Sequence, residues 1–218
     1  MNAEFWHSRW QEKRIGFNQS AVNPLLMKYF KRLNLPAGSR VFVPLCGKSI
    51  DMAWLAAQGY NVVGVELVET AIQAFFTEQN ISYIVRQHAD NPAIKYYQGQ
   101  LSGQTIILWV ADIFALTAED IGSVNAIYDK AALIALPADI RVKYSAQMCH
   151  LSANAPQFII TLTYDQSKKE GPPFSVSSEQ IQQYYGSNYQ ITELASESAS
   201  IGSMPDLKVT EHVWLLNT

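Results

Sequence analysis

Only two cysteines, Cys46 and Cys149, occur in the 218 residues, too few for a disulfide framework or a thiolate zinc site. Basic clusters are lacking as well. No run of Lys or Arg exceeds two residues, and the formal net charge is -3, so the electrostatic footprint of a nucleic-acid binder is missing. No apolar run approaches the ~20 residues needed to cross a bilayer. The first ten residues, Met-Asn-Ala-Glu-Phe-Trp-His-Ser-Arg-Trp, hold no apolar stretch of signal-peptide type. The four histidines show no metal-ligand spacing. Together these absences predict a cytoplasmic protein with no metal, no membrane and no nucleic-acid partner. Nothing points to an obligate interface, so a monomer is expected.

Apolar residues make up 48% of the chain and charged ones 16%, enough for one well-packed core. With no linker or repeat to divide it, a single domain over residues 1–218 is expected. Trp6 and Trp10, four apart in an amphipathic segment from Glu4 to Lys13, share one helical face. Asn23 as N-cap and Pro24 at the first position predict a helix from Pro24 to about Leu33. Then strands and helices alternate. Arg40–Leu45 and Asn61–Leu67 read as buried strands, each followed by a helix, 50–58 with Ser49 as cap and 69–80. Ile94–Gln98 and Thr105–Val110 read as a hairpin, Val124–Asp129 and Phe158–Tyr164 as further buried strands, and Tyr189–Leu194 and Val209–Leu216 as two late strands around Gly202-Ser-Met-Pro205. Helices are expected over 140–151 and 178–185. The alternation predicts an α/β, Rossmann-like, doubly wound sheet.

In such sheets a ligand sits beyond the C-terminal ends of the strands. The first strand–helix turn is Pro44-Leu-Cys-Gly-Lys-Ser49, in which Gly47 lets a ligand approach the backbone. Gly47-Lys-Ser49 resembles the tail of a phosphate-binding loop, but Phe42 stands where that loop requires glycine, and the dinucleotide fingerprint is absent too. Glu66 ends the next strand, where a carboxylate can grip a ribose diol or merely cap. A cofactor with a ribose and no phosphate fits, and S-adenosylmethionine is the common one. Asp112 and Ile113 follow the fourth strand-like run, placed to meet an adenine through a carboxylate and an amide, or to cap a helix. Trp6, Trp10 and Phe17 form an aromatic group able to face a sulfonium cation or simply to pack.

Trp6-x-x-x-Trp10 with Phe17, Arg40-Val-Phe-Val-Pro-Leu-Cys-Gly-Lys48, Val62-Val-Gly-Val-Glu66, Phe75-Phe-Thr-Glu-Gln-Asn80, Asp129-Lys-Ala-Ala-Leu133, and Tyr164-Asp with Gly171-Pro-Pro-Phe174 together resemble the thiopurine S-methyltransferase family. The resemblance implies a mostly parallel seven-stranded sheet with helices on both faces and an N-terminal helical cap, residues 1–35, over the cofactor. It implies S-adenosylmethionine as donor, S-adenosylhomocysteine as product and a small thiol as acceptor. Carried over by position, Trp6, Trp10, Phe17, Leu45, Gly47, Glu66, Asp112, Ile113 and Lys130 would bind the cofactor. Phe17, Lys130, Pro173 and Phe174 would face the acceptor, and Lys130 with Asp129 would serve catalysis. Lys130 stands where the family usually carries Arg, exchanging a rigid fork for a flexible point charge. Two other readings stay open: methylation of selenium, tellurium or another small nucleophile, and a non-catalytic module that binds S-adenosylmethionine.

Overall fold

A computed structural model describes residues 3–202 and 204–218. Helix α1 (Ala3–Gln11) precedes α2 (Pro24–Tyr29), which starts where the Asn23 side chain accepts the Leu25 and Leu26 N–H groups and Pro24 fills the first turn. A 3-10 turn over Phe30–Leu33 continues it. Strand β1 (Arg40–Val43), helix α3 (Asp51–Ala57), strand β2 (Asn61–Glu66) and helix α4 (Glu69–Glu78) follow as two βα units. Ser49 does not cap α3 from the position expected of it. The helix begins at Asp51, whose N–H reaches the Ser49 Oγ at 3.3 Å. Next come β3 (Tyr83–Gln87), β4 (Lys95–Leu101), β5 (Gln104–Val110), the short α5 (Ala118–Ile121) and β6 (Ala126–Lys130). Helix α6 (Ala138–Ser152), β7 (Gln157–Thr163), α7 (Ser178–Tyr185), β8 (Gln190–Ile201) and β9 (Met204–Asn217) complete the chain. Ser203, in the expected turn before β9, lies outside the described residues, as do Met1 and Asn2.

The sheet has nine strands in the order β3-β4-β5-β2-β1-β6-β7-β9-β8, which corrects the seven expected. Nor is it mostly parallel: β5, β2, β1, β6 and β7 run parallel, and antiparallel pairs flank them on both sides. Eight of the nine read as strands from the sequence, and the one overlooked is β3, an outer edge exposed at all five positions. With neither face buried, it shows no alternation for pattern reading to detect.

The winding explains the layers. From β1 the chain moves outward through β2 to β5, then returns to β6 and β7 on the other side of β1. Right-handed crossovers in opposite directions put their helices on opposite faces. Leu26, Phe30, Met52, Leu55, Phe75 and Phe76 pack on one face with Tyr128 and Phe158. Ile121, Tyr144, Met148, Ile181 and Tyr185 pack on the other with Phe42, Ile127 and Ile159. Phe30 anchors the first layer edge-on to Trp54, Tyr60, Tyr128 and Phe158, with ring centroids 5.7–6.2 Å apart.

Candidate active site

The strand order reverses at β1, so the crevice of the sheet opens beyond the C-terminal ends of β1 and β6. Each lip carries a residue in a left-handed conformation. Leu45 follows β1 at φ +45° and Ala131 follows β6 at φ +64°, a left-handed conformation uncommon for residues with a side chain and frequent where a site must be shaped. Gly47, at φ +53°, completes the first turn. Cys46 ties that turn down, its N–H reaching the Val65 carbonyl at 2.9 Å. Its side chain fits because β2 carries glycine there: a Cβ on Gly64 would stand 2.8 Å from the Cys46 Sγ and 2.7 Å from Leu108. Burial and the nearby Glu66 charge push the Cys46 thiol well above its ordinary range, so it has the character of a packed side chain rather than a nucleophile.

Glu66, at the end of β2, is 8% exposed. Its Oε2 accepts the Gly47 N–H at 2.9 Å and its Oε1 the Val68 N–H at 2.8 Å. Burial raises its pKa, and the N–H groups of Val68, Gly47 and Leu67 pull it back. Each carboxylate oxygen has two acceptor sites, so both retain capacity for a further donor. On the outer side of the same turn lies Trp10: a Cβ built on Gly47 would be 3.3 Å from its ring. Phe17, 38% exposed, meets Trp6 and Trp10 edge-on at 5.7 and 5.9 Å. The N-terminal aromatics, the first turn and Glu66 are therefore contiguous. Val110 pairs with Glu66, which brings Asp112 to the same edge. There the Asp112 Oδ1 caps a 3-10 turn through the Phe114 N–H at 3.0 Å, and Ile113 is buried.

Beyond β1, the last residues of β6 diverge, as neighbours on a strand must. Asp129 turns to the α6 face, fully buried, where its Oδ1 accepts the Leu133 N–H at 3.1 Å and its Oδ2 the Tyr144 hydroxyl at 2.7 Å. Burial pushes its carboxyl up to about 6. Lys130 turns to the opposite face, half-buried, and burial lowers its pKa against the charges of Asp51 and Glu211. Asp129 thus holds the turn after β6 and does not touch Lys130. Asp51, which sequence reasoning missed, is 1% exposed and joins three elements: its Oδ1 takes the Asn23 N–H at 2.8 Å and its Oδ2 the Tyr128 hydroxyl at 2.9 Å. An acid in the first turn of a helix is too common to signal such a role.

The loop after β7 folds back onto the loop after β6. The Phe174 N–H donates to the Ile134 carbonyl at 2.6 Å, Arg141 stands 5.4 Å from the Phe174 ring centroid, and the Pro173 carbonyl accepts the Tyr164 hydroxyl. A shallow cleft of about 540 Å³ lined by Ile81, Tyr83, Gly99 and Leu101 lies at the other edge of the sheet, remote from these groups.

The family model for thiopurine S-methyltransferase (TPMT) matches residues 1–216. The chain belongs to the thiopurine S-methyltransferase family. It is 62% identical over 217 residues to the thiopurine S-methyltransferase of Psychrobacter cryohalolentis, covering 100% of this chain and 99% of that one. The enzyme of the same name from Teredinibacter turnerae is 43% identical over 217 residues, with 100% and 98% covered. Among solved structures, the 1,6-didemethyltoxoflavin-N1-methyltransferase of Burkholderia thailandensis, with 1,6-didemethyltoxoflavin and S-adenosylhomocysteine bound, superposes with a TM-score of 0.65 at 14% identity, covering 99% of this chain and 87% of that one. A methyltransferase of Methanosarcina mazei superposes with a TM-score of 0.63 at 12% identity, covering 90% and 98%. As a member of this family the chain is a methyltransferase that uses S-adenosylmethionine.

Proposed function

We propose that the chain moves a methyl group onto the sulfur of a small aromatic or heterocyclic thiol, as one domain over residues 1–218 in which residues 1–35 cap the cofactor. The observation that carries this reading is the contiguity of Trp10, Gly47 and Glu66 at one edge of the sheet, with the cationic Lys130 on the far lip of the same crevice. S-adenosylmethionine, when bound, supplies a methyl group activated on a sulfonium. The residues fit it. Glu66 retains acceptor sites for the ribose hydroxyls, Gly47 and Leu45 line the turn, and Asp112 with Ile113 meets the adenine. Trp6, Trp10 and Phe17 offer aromatic faces to the cationic sulfur.

Lys130 faces the acceptor and steadies negative charge on its sulfur, while Phe17, Pro173 and Phe174 wall the acceptor and exclude water. Asp129 is a positioning residue that fixes the backbone carrying Lys130. Aligning sulfur and methyl carbon supplies much of the rate, since effective molarities of about 10⁵–10⁸ M are reached by well-oriented groups. Among the described residues no helix is long and apolar enough to cross a membrane. The test is methyl transfer to a panel of aromatic thiols, followed by S-adenosylhomocysteine production. Turnover on thiols is expected, and turnover only on oxygen or nitrogen acceptors would refute the assignment.

A further inference from the structure

Lys130 has a counterpart on β9. Lys130 pairs in register with Ile160 on β7, Ile160 with Val213 on β9, and one pleat further along Leu162 pairs with Glu211. Residues two apart on a strand share a face, so Glu211 projects with Val213 and Leu215 into the layer that holds Tyr128 and Ile160. That is the face of Lys130, one step nearer the C-terminal edge where the crevice opens. Both side chains are half-buried. Each feels the other's charge, yet among the described residues no hydrogen bond or ion pair engages either Lys130 Nζ or the Glu211 carboxylate. Opposite charges partly withdrawn from water and not joined to each other call for a partner.

A second observation bears on Glu211 alone. It stands directly opposite Glu197 on β8, and like charges in register destabilise a sheet. Glu197 is neutralised from α2, by Lys28 Nζ at 2.9 Å with the Tyr29 hydroxyl at 3.5 Å. Glu211 is left facing the crevice. The charged and titratable groups around it are Lys130 on β6, Glu197 on β8 with its Lys28, Asp51 on α3 beside Lys130, and the buried Tyr128 hydroxyl.

We propose that Glu211 is a catalytic residue of the acceptor pocket, the base that takes the proton a heterocyclic thioamide gives up as its sulfur is methylated. The inference rests on the acceptor site proposed beside Lys130. In a thioamide ring the C=S group adjoins a ring N–H. As the sulfur forms its bond to the methyl carbon, the methyl–sulfonium bond breaks and its electron pair stays on the donor sulfur, now a neutral thioether. The ring N–H proton passes to a Glu211 oxygen, the product leaves as a neutral S-methyl heterocycle, and the carboxylic acid returns its proton to water. Burial and the Glu197 charge raise the Glu211 pKa while Lys130 opposes them. A carboxylate raised toward the working pH is the better base. A simple aryl thiolate has no such proton and gains nothing from Glu211.

Glu211→Gln and Glu211→Asp separate these roles with two acceptors, pyrimidine-2-thione and thiophenol, assayed across pH 5.5–9. Loss of a positioned base costs on the order of 100-fold. Glu211→Gln is therefore expected to lower kcat/KM for the thione by about 100-fold and to abolish the acid limb of its pH profile, while thiophenol falls by less than about threefold. Glu211→Asp restores part of that limb. Thione binding to the S-adenosylhomocysteine complex, followed by calorimetry in two buffers of different ionisation enthalpy, is expected to take up or release a different number of protons in wild type and Glu211→Gln. Equal losses on both acceptors, or none on either, would overturn the role of Glu211. A wild-type protein that methylates neither acceptor would instead overturn the acceptor reading beneath it, and this proposal with it.

Discussion

Replacing Asp129 with asparagine keeps its shape and removes its charge, which makes the cost of that charge measurable. Asp129 is fully buried beneath α6, and its carboxyl is pushed from 3.8 up to about 6. Between those values the folded protein holds a proton that the unfolded chain has released. Stability therefore falls as pH rises from about 4 to about 6, the sign expected for a carboxyl whose folded pKa is raised. One pKa unit corresponds to about 1.4 kcal/mol, so ionising Asp129 in place costs the folded state about 3 kcal/mol at neutral pH. Asparagine still offers an oxygen to the Leu133 N–H and a donor to the Tyr144 oxygen. The stability of wild type relative to Asp129→Asn, from urea melts at constant ionic strength, should thus drop by about 3 kcal/mol between pH 4 and pH 7.5. A difference that stays flat across pH would refute the buried-charge argument. A folded Asp129→Asn protein that had lost all methyl transfer at saturating substrates would refute the positioning role, because it would place the carboxylate among the reacting groups.

Glu66→Ala should weaken S-adenosylmethionine binding by about 1–3 kcal/mol, the cost of leaving ribose hydroxyls and buried N–H groups unpaired; calorimetry that finds unchanged affinity would remove Glu66 from the ribose. Gly47→Ala puts a Cβ at φ +53° and 3.3 Å from Trp10, which should cost about 1–2 kcal/mol in stability and displace the indole, read as a changed tryptophan emission on cofactor binding. An unaltered melting curve and emission would mean that the turn and helix α1 adjust freely. Lys130→Ala should reduce turnover more than cofactor affinity, and equal losses would make it a cofactor contact instead.

Elements with one clear signal were legible before the structure. Asn23-Pro24 marks a helix start by chemistry that only a cap satisfies, and the apolar runs of β1, β2, β6 and β7 read as strands because both their faces are covered. Ser102 and Gly103, at φ +54° and +77°, close the β4–β5 hairpin where turn residues foretell it. What escaped depends on neighbours far away in the chain. β3 has no buried face, and β8 extends to Ile201 through polar residues because β9 pairs with it along its length. Leu45 and Ala131 adopt positive φ without being glycine, held there by the packing around the crevice. In the site, Glu66, Gly47 and Lys130 follow from strand ends and motif, whereas Asp51 becomes visible only when the fold sets the start of α3 against Tyr128 of β6, and Glu211 only when the register of β9 brings it to the lip that carries Lys130.

The most direct test of the central claim is calorimetric titration of the purified protein with S-adenosylmethionine, with an aromatic thiol then added to the same sample. Saturable one-site binding followed by stoichiometric methylation of the thiol is the result predicted. No binding would contradict the reading of the Trp10–Gly47–Glu66 edge as the cofactor site, and binding without methylation of any thiol would contradict the sulfur acceptor.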